Sequence, residues 1–376
     1  MKLAIVGGGA SGLMLASILK TNNVDIDIVI LEKLDHAGKK ILMSGNGKCN
    51  LSNTNITTSS YNNELGFKIA SSFDVEKYFN DLGLLTYKDN EGRVYPISNV
   101  SNSVLDVLRK SLKNVEILEN YNVTKINKKD DKYTIVNDKF DFIEADMVVL
   151  ATGGKTYYKE CNGYIISSML SHRVTSLRPT LSSLKVKENL ASIENLRAKV
   201  KAKLIANNTV VYEDTGEVLF KKDALSGIVI FQLSSMVARD PFKKYSIELD
   251  LMPSMSEEQL NKYLMQYPEM TGMFAKMINQ YIIKNSPSKE SNDIAHTIKH
   301  LKFNVLDNIE FKNAQVTAGG ININEVKETL ESKYNKNLYI LGELLDVDGI
   351  CGGYNLHFAF SSAYVAAQDI INKVGK

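Results

Sequence analysis

The chain has 376 residues, 44% of them hydrophobic and 23% charged, and Lys+Arg 45 against Asp+Glu 43 leaves a formal net charge of +2. Ordinary globular composition excludes a disordered or fibrous chain. The balanced charge gives no electrostatic case for a dedicated nucleic-acid or anionic-membrane binder. This length predicts two or three domains, or one large α/β domain carrying an insertion. Three cysteines (Cys49, Cys161 and Cys351) without a CxxC pair fit a reducing cytoplasm better than a secreted disulfide scaffold.

No apolar run approaches the roughly 18 residues needed to span a bilayer. The opening MKLAIVGGGASGLMLASILK imitates a signal peptide, but Gly7, Gly8, Gly9 and Gly12 would break its helical core. The expectation is a soluble cytoplasmic protein.

Lys2 to Val6 has a buried-strand pattern and runs straight into GGGASG, where Gly7, Gly9 and Gly12 satisfy GxGxxG. Ala10 to Lys20 then carries helical spacing, and a second strand, Ile26 to Leu31, ends in Glu32, 20 residues after Gly12. Each part has a physical reason in a dinucleotide site. Gly7 permits the tight turn, Gly9 lets a pyrophosphate approach, and Gly12 lets helix and strand pack closely. The helix start at Ala10 and Ser11 offers unpaired N–H groups and a positive dipole end. Glu32, followed by Lys33, can accept from an adenosine ribose.

NAD and FAD both satisfy that pattern. A second glycine-rich loop, Gly38 to Asn50, brings Lys39, Lys40 and Lys48 together with Ser44, Gly45, Gly47 and Asn50. Such a basic cradle suits a longer anionic cofactor, FAD, better than a single classical NAD fold. A basic surface loop is the plainer reading of the same residues.

Further along, Tyr121 to Ile126 alternates like an edge strand, and Val148 to Leu150 ends in Ala151-Thr152-Gly153-Gly154. From about Leu184 the pattern turns antiparallel, with strict alternation at Lys199 to Leu204 and Ser246 to Leu251. Val210 to Tyr212 and Glu217 to Phe220 flank an Asp-Thr-Gly turn, a hairpin signal. Ser254 with Glu257 fits a capping box, ahead of helices at about Glu257 to Tyr267, Met270 to Lys284 and Asn292 to Leu301. Met265, Met270, Met273 and Met277 fit a helical core or an adaptable lid. His296 and His300 stand i,i+4 on the third helix, with no HExxH pattern and no third ligand beside them, so they are expected at the surface and no metal is expected. Near the end, Leu338 to Leu341 delivers Gly342 and Glu343, then Asp346, then Gly352-Gly353-Tyr354-Asn355 and a helix from about Leu356 to Asn372.

On GKKILMSGNGKCNLSN (38–53), AQVTAGGI (314–321) and LYILGELLDVDGICGGYNLHFAF (338–360), the sequence resembles the BaiN-like (YhiN-like, aminoacetone-oxidase-like) family of FAD-dependent oxidoreductases. Weaker matches at 92–98, 148–156 and 216–234 extend the resemblance over essentially the whole chain. It implies an α/β fold: a Rossmann-like, glutathione-reductase-like FAD-binding domain (1–184 and 314–376), an inserted antiparallel β-barrel-like domain (185–252 and 299–313) and a small helical cap (253–298). It further implies that the Val123 backbone pairs with adenine and that the Ala151-Thr152-Gly153 turn meets the adenine–pyrophosphate half. Gly342, Glu343 and, as the preferred acid, Asp346 would then meet the ribityl chain. Gly353, Tyr354, Asn355 and Leu356 would open a helix aimed at the flavin N1 and C2 oxygen, where reduction places negative charge.

Three positions depart from the family: Tyr157 to Tyr164 replaces a Gly-rich run, Ala363 replaces a Gly, and Lys48 replaces an Arg, losing the planar fork. The implied activity is exchange of a hydride equivalent between flavin and a small organic substrate (an amine, or a ketone or enone) bound between flavin and inserted domains. Either O₂ or transiently bound NAD(P)H would be the electron partner. Tyr354, Arg93 and Tyr95 are candidates to line the cleft, and no catalytic acid or base is identified. Cys49 and Cys351 are either a redox pair or, more simply, small buried residues. The alternatives are an RNA-modifying flavoprotein of the tRNA-methylating kind and a flavin sensor without turnover. No nucleic-acid or membrane partner is expected.

Overall fold

The computed structural model describes residues 1–156, 161–306 and 310–375. The chain divides into two compact units, Met1–Leu177 with Val316–Lys376, and Arg178–Gln315. Each has its own apolar core.

The first unit is built from β1 (Lys2–Val6), α1 (Ala10–Thr21), β2 (Asp27–Leu31), β3 (Glu116–Leu118), β4 (Met147–Leu150), β5 (Leu338–Ile340) and α2 (Tyr354–Val374). The strands form one sheet in the order β5-β4-β1-β2-β3, with every neighbouring pair parallel. Buried on both faces, β1 and β4 are continuous apolar runs rather than alternating ones. α1 packs on α2 and buries every residue from Ser11 to Leu19, which is why its sequence is apolar almost all round. A three-stranded antiparallel sheet (Val123–Lys129, Lys132–Asn137, Phe142–Ala145) lies between β3 and β4 in the chain.

Register decides what meets what. Val6 pairs with Leu31 and with Leu150, and Leu150 pairs with Ile340. The carboxyl ends of β1, β2, β4 and β5 therefore finish level. Gly7, Glu32, Ala151 and Leu341, each the next residue after its strand, share one edge, the place where open α/β sheets hold ligands.

In the second unit six strands run antiparallel in the order Leu184–Lys185, Ala224–Ser226, Thr209–Lys221, Arg197–Ala206, Tyr245–Asp250, Leu301–Asn304. A bridge between Val186 and Val305, with Lys187 N–H donating to the Asn304 carbonyl at 2.9 Å, joins the last strand to the first and closes the sheet into a barrel. Helices Ile228–Arg239, Glu257–Gln266, Lys276–Asn285 and Ser291–Lys299 share the barrel's core through residues such as Leu233, Leu260, Ile282 and Ile298.

Local readings shift here in three places. Asp214-Thr215-Gly216 is not a hairpin turn but the middle of the 13-residue strand Thr209–Lys221. The reversal falls at Asn207 and Asn208, both with positive φ (50° and 64°), a conformation asparagine tolerates. The capping box is Ser256 with Gln259 rather than Ser254 with Glu257. The apolar stretch Ile228–Arg239 is a helix that the alternation argument did not name. Of the methionines, Met270 is fully buried while Met265 and Met277 are exposed.

Candidate functional site

The turn after β1 behaves as its glycines require. Gly7 has φ +110°, and a Cβ there would lie 2.4 Å from the Ala151 carbonyl oxygen; a Cβ on Gly12 would lie 2.1 Å from the Gly7 carbonyl oxygen. Side chains at these two positions are excluded by backbone. Gly9 differs, because its nearest neighbour would be the Ala151 oxygen at 3.9 Å, so the face above it is open. Gly9 is also the N-cap of α1, and no side chain caps that end. First-turn amides around Ala10 and Ser11 are left for an acceptor.

Glu32 is buried beside this turn and accepts from the Gly8 N–H (2.8 Å) and the Leu34 N–H (2.9 Å). Burial raises its pKa, against the lowering effect of those amides. Lys33 is exposed. The segment after β3 runs alongside, with the Tyr121 N–H donating to the Glu32 carbonyl. Val123, two residues on, is buried next to a β-bulge, and its carbonyl accepts from Asn162 Nδ2 at 3.3 Å.

The second glycine loop folds back over the first. Gly38 N–H donates to the Gly8 carbonyl at 2.8 Å. Lys40 Nζ reaches Glu343 Oε2 at 2.5 Å, and Glu343 Oε1 accepts from the Thr317 N–H at 2.8 Å. Gly342, at the end of β5, faces Ser11 of α1, and Gly154 leaves room for the Glu343 carboxylate, which a Cβ there would meet at 2.3 Å. Glu343 is thus the acid at the strand end. Asp346 accepts from Thr175 Oγ1 (2.8 Å) and Asn62 Nδ2 (3.3 Å), which tie it to the neighbouring loops. Thr152 Oγ1 is buried without a hydrogen-bond partner. The expected contacts of Tyr157 to Glu160 lie outside the described residues; beyond them, the Cys161 thiol donates to the Gly153 carbonyl.

A further cluster surrounds the start of α2. Gly353, its N-cap, has φ +102°, and a Cβ would meet the Ser52 carbonyl at 2.5 Å and Asn50 Oδ1 at 2.6 Å. Asn50 Oδ1 is buried and unpartnered. Ser44 Oγ donates to the Ile41 carbonyl, and Gly45 and Gly47 take positive φ beside it. His357, on α2, has Nε2 against the Ala70 carbonyl (2.8 Å), which only accepts, so Nδ1 accepts from Ser52 Oγ at 2.7 Å. Burial lowers the pKa of this imidazole, which keeps it a neutral brace. The Asn355 side chain closes the preceding loop onto both the Gly349 N–H and the Gly349 carbonyl; at Asn355 and at half-buried Leu356, it is the first-turn backbone that faces the cluster.

None of the three cysteines forms a disulfide. Burial pushes the Cys49 thiol up to about 12 and raises Cys351 as well, so neither is poised as a thiolate. Thr317, Asn53, Thr175 and His357 were not singled out from sequence. Thr317, Asn53 and His357 sit inside stretches that carry the family resemblance, whereas nothing in the chain marks Thr175.

The HI0933-like protein Rossmann domain family matches residues 1–369. The chain belongs to this family, the BaiN/YhiN-like FAD-dependent oxidoreductases. It is 33% identical to 3-dehydro-bile acid delta(4,6)-reductase of Clostridium scindens, over 98% of each chain. It is 24% identical to the ribosomal RNA dihydrouridine synthase of Escherichia coli, over 98% of this chain and 97% of that one. Among solved structures, the 3-ketosteroid-delta4-(5alpha)-dehydrogenase of Rhodococcus jostii superposes with a TM-score of 0.50 at 11% identity, covering 100% of this chain and 96% of that one. That likeness speaks for the fold alone. No helix among the described residues is long and apolar enough to cross a membrane.

Proposed function

We propose that this protein reduces a carbon–carbon double bond conjugated to a carbonyl group in a small organic molecule, using FAD. The observation that carries the reading is the full-length likeness to a reductase whose name specifies a 3-ketone and double bonds at positions 4 and 6. Dihydrouridine synthases reduce the same class of bond, in uracil, so the two groups of relatives share an electron acceptor type although their substrates differ in size.

The residues fit FAD. An uncapped helix start with an open face over Gly9 suits a diphosphate, and the buried, unpartnered Thr152 Oγ1 and Asn50 Oδ1 suit a polar ligand passing both clusters. Glu32 would accept from the adenosine ribose with the lone pairs its two amide bonds leave over. Lys40, steered by Glu343, would face the diphosphate, and the Gly353 end of α2 would place amides and a positive dipole at the flavin's pyrimidine edge. FAD, when bound, supplies the hydride equivalent. Around that edge, Tyr61 Oη donates to the Tyr354 carbonyl at 3.0 Å and Tyr354 Oη donates to the Asn55 carbonyl at 3.3 Å. Burial raises both phenols, so each keeps the proton with which it holds the loop carbonyl it faces. Arg93 is held by Asp89 and Glu91, and Tyr95 stacks on Tyr87. NADH or NADPH would serve as a transient donor.

The test uses purified, FAD-loaded protein under anaerobic conditions. NADH or NADPH is expected to bleach the flavin, and a conjugated dienone, but not its saturated ketone, to restore the colour. Bleaching by amines with restoration by O₂ alone, and no response to any conjugated carbonyl, refutes the reading. Faster restoration by ribosomal RNA fragments than by the dienone would move the substrate to RNA, against which the near-neutral charge counts.

A further inference from the structure

We propose that the second unit carries a binding site for a divalent transition-metal ion, zinc being the type case, formed by Glu257, His296 and His300. The two histidines had no third ligand near them in the chain; the fold supplies one. Glu257 is the first residue of helix Glu257–Gln266, His296 lies in the last turn of helix Ser291–Lys299, and His300 follows as that helix's C-cap. One ligand atom from each side chain falls within 4.8 Å of the others.

The distances suit a metal. Zinc bonds to imidazole nitrogen and carboxylate oxygen measure about 2.0–2.2 Å in tetrahedral sites, so neighbouring ligand atoms sit roughly 3.4 Å apart. His296 Nδ1 lies 3.0 Å from Glu257 Oε1, and His300 Nε2 lies 3.4 Å from Glu257 Oε2. The rings lie side by side, centroids 4.7 Å apart and tilted by 34°. Two imidazoles and one carboxylate are the donor set of an open zinc site, with a fourth position for water.

A second layer supports the first. His300 Nδ1 lies 3.2 Å from Glu248 Oε1, on the barrel strand Tyr245–Asp250. With a metal bound, Nδ1 would keep its hydrogen for the Glu248 carboxylate, which only accepts, and Nε2 would turn its lone pair to the ion. This carboxylate–histidine–metal relay orients ligands in known zinc sites. Glu248 is itself buried and anchored by Lys203 Nζ at 3.0 Å, with Lys302 Nζ at 3.8 Å. Helix ends reinforce the arrangement: the carboxylate stands at a helix N-terminus and the cation would stand at a helix C-terminus. The role that follows is structural, a clamp between two helices and, through Glu248, the barrel.

Chelator-treated, FAD-loaded protein titrated with zinc chloride in a calorimeter tests this directly. One equivalent is expected to bind and to raise the melting temperature, and cobalt(II) is expected to give the visible absorption of a four-coordinate N/O site. His296→Gln, an exposed change, and His300→Gln should each abolish the one-equivalent phase. Glu248→Gln should weaken it by about 10–100-fold, while His36→Gln, an exposed histidine elsewhere, should leave it intact. No saturable binding by the wild type, or equal binding by the His296 and His300 variants, overturns the proposal. Because His296 is exposed, its variant folds whatever the outcome for His300, and flavin absorbance confirms that the first unit is intact in each protein.

Discussion

Gly9 and Gly12 stand three residues apart in one motif, yet the structure predicts that alanine at each fails for a different reason. In Gly12→Ala the new Cβ would sit 2.1 Å from the Gly7 carbonyl oxygen, where real Cβ atoms do not come closer than 3.0 Å. Helix α1 must then retreat from the turn after β1 by about 1 Å, an overpacking cost of roughly 1–3 kcal/mol. For a domain of this size that lowers the melting temperature of the apoprotein by about 2–12 °C. In Gly9→Ala the Cβ meets nothing nearer than 3.9 Å, and φ is −84°, so the backbone is unstrained. Only the N-cap preference is lost, at about 0.5 kcal/mol. That Cβ does, however, occupy the face over which the diphosphate would pass, so FAD affinity should fall at least about tenfold, or 1.4 kcal/mol. Scanning calorimetry of flavin-stripped protein and FAD titration by fluorescence quenching separate the two effects. A Gly9→Ala protein that binds FAD like the wild type would refute the cradle, and an unchanged apoprotein melting point for Gly12→Ala would refute the close approach.

Other expectations follow from the charges and thiols. Burial works to raise the Glu331 pKa, but hydrogen bonds from Lys327, Lys373 and the Asn337 amide outweigh it and hold the carboxyl at about 2. A lowered folded pKa means stability that is full above the unfolded value of 4.5 and is lost as pH falls toward 2; melting temperatures across that window should drop less steeply in Glu331→Gln. Glu32 has the opposite sign: its raised pKa makes the apoprotein lose stability as pH climbs through the folded value, so Glu32→Gln should flatten that limb while weakening FAD binding. Lys40→Met, which leaves Glu343 with the Thr317 amide alone, should weaken FAD binding by roughly tenfold or more. Thiol titration of native protein at pH 8 should find Cys49 unreactive, its thiol held near 12 by burial, and Cys49→Ser should retain turnover; loss of turnover would restore the redox-pair reading.

The chain announces its first unit because each signal there is local. Gly7, Gly9, Gly12 and Glu32 are spaced by a strand, a turn and a helix, and β1, α1 and β2 follow from that spacing with ends moved by a residue or so. The barrel was legible as alternation at Arg197–Ala206 and Tyr245–Asp250. Its hairpin was misplaced because Gly216 looks like a turn residue, whereas it is glycine for the close approach of helix Ile228–Arg239: a Cβ would lie 3.2 Å from that of Val229. Composition cannot distinguish a glycine needed for a turn from one needed for a neighbour.

The sequence by itself settled the dinucleotide motif, the family and the alternation of parallel and antiparallel modules, since these rest on spacings of a few residues and on short strings. Tertiary structure alone decided that Glu343 meets Lys40, 303 residues away, and that Glu257 joins His296 and His300. It also decided that Cys49 lies too deep to ionise near neutral pH. Such pairings depend on strand register and helix packing, which bring together residues whose separation in the chain carries no trace of their contact.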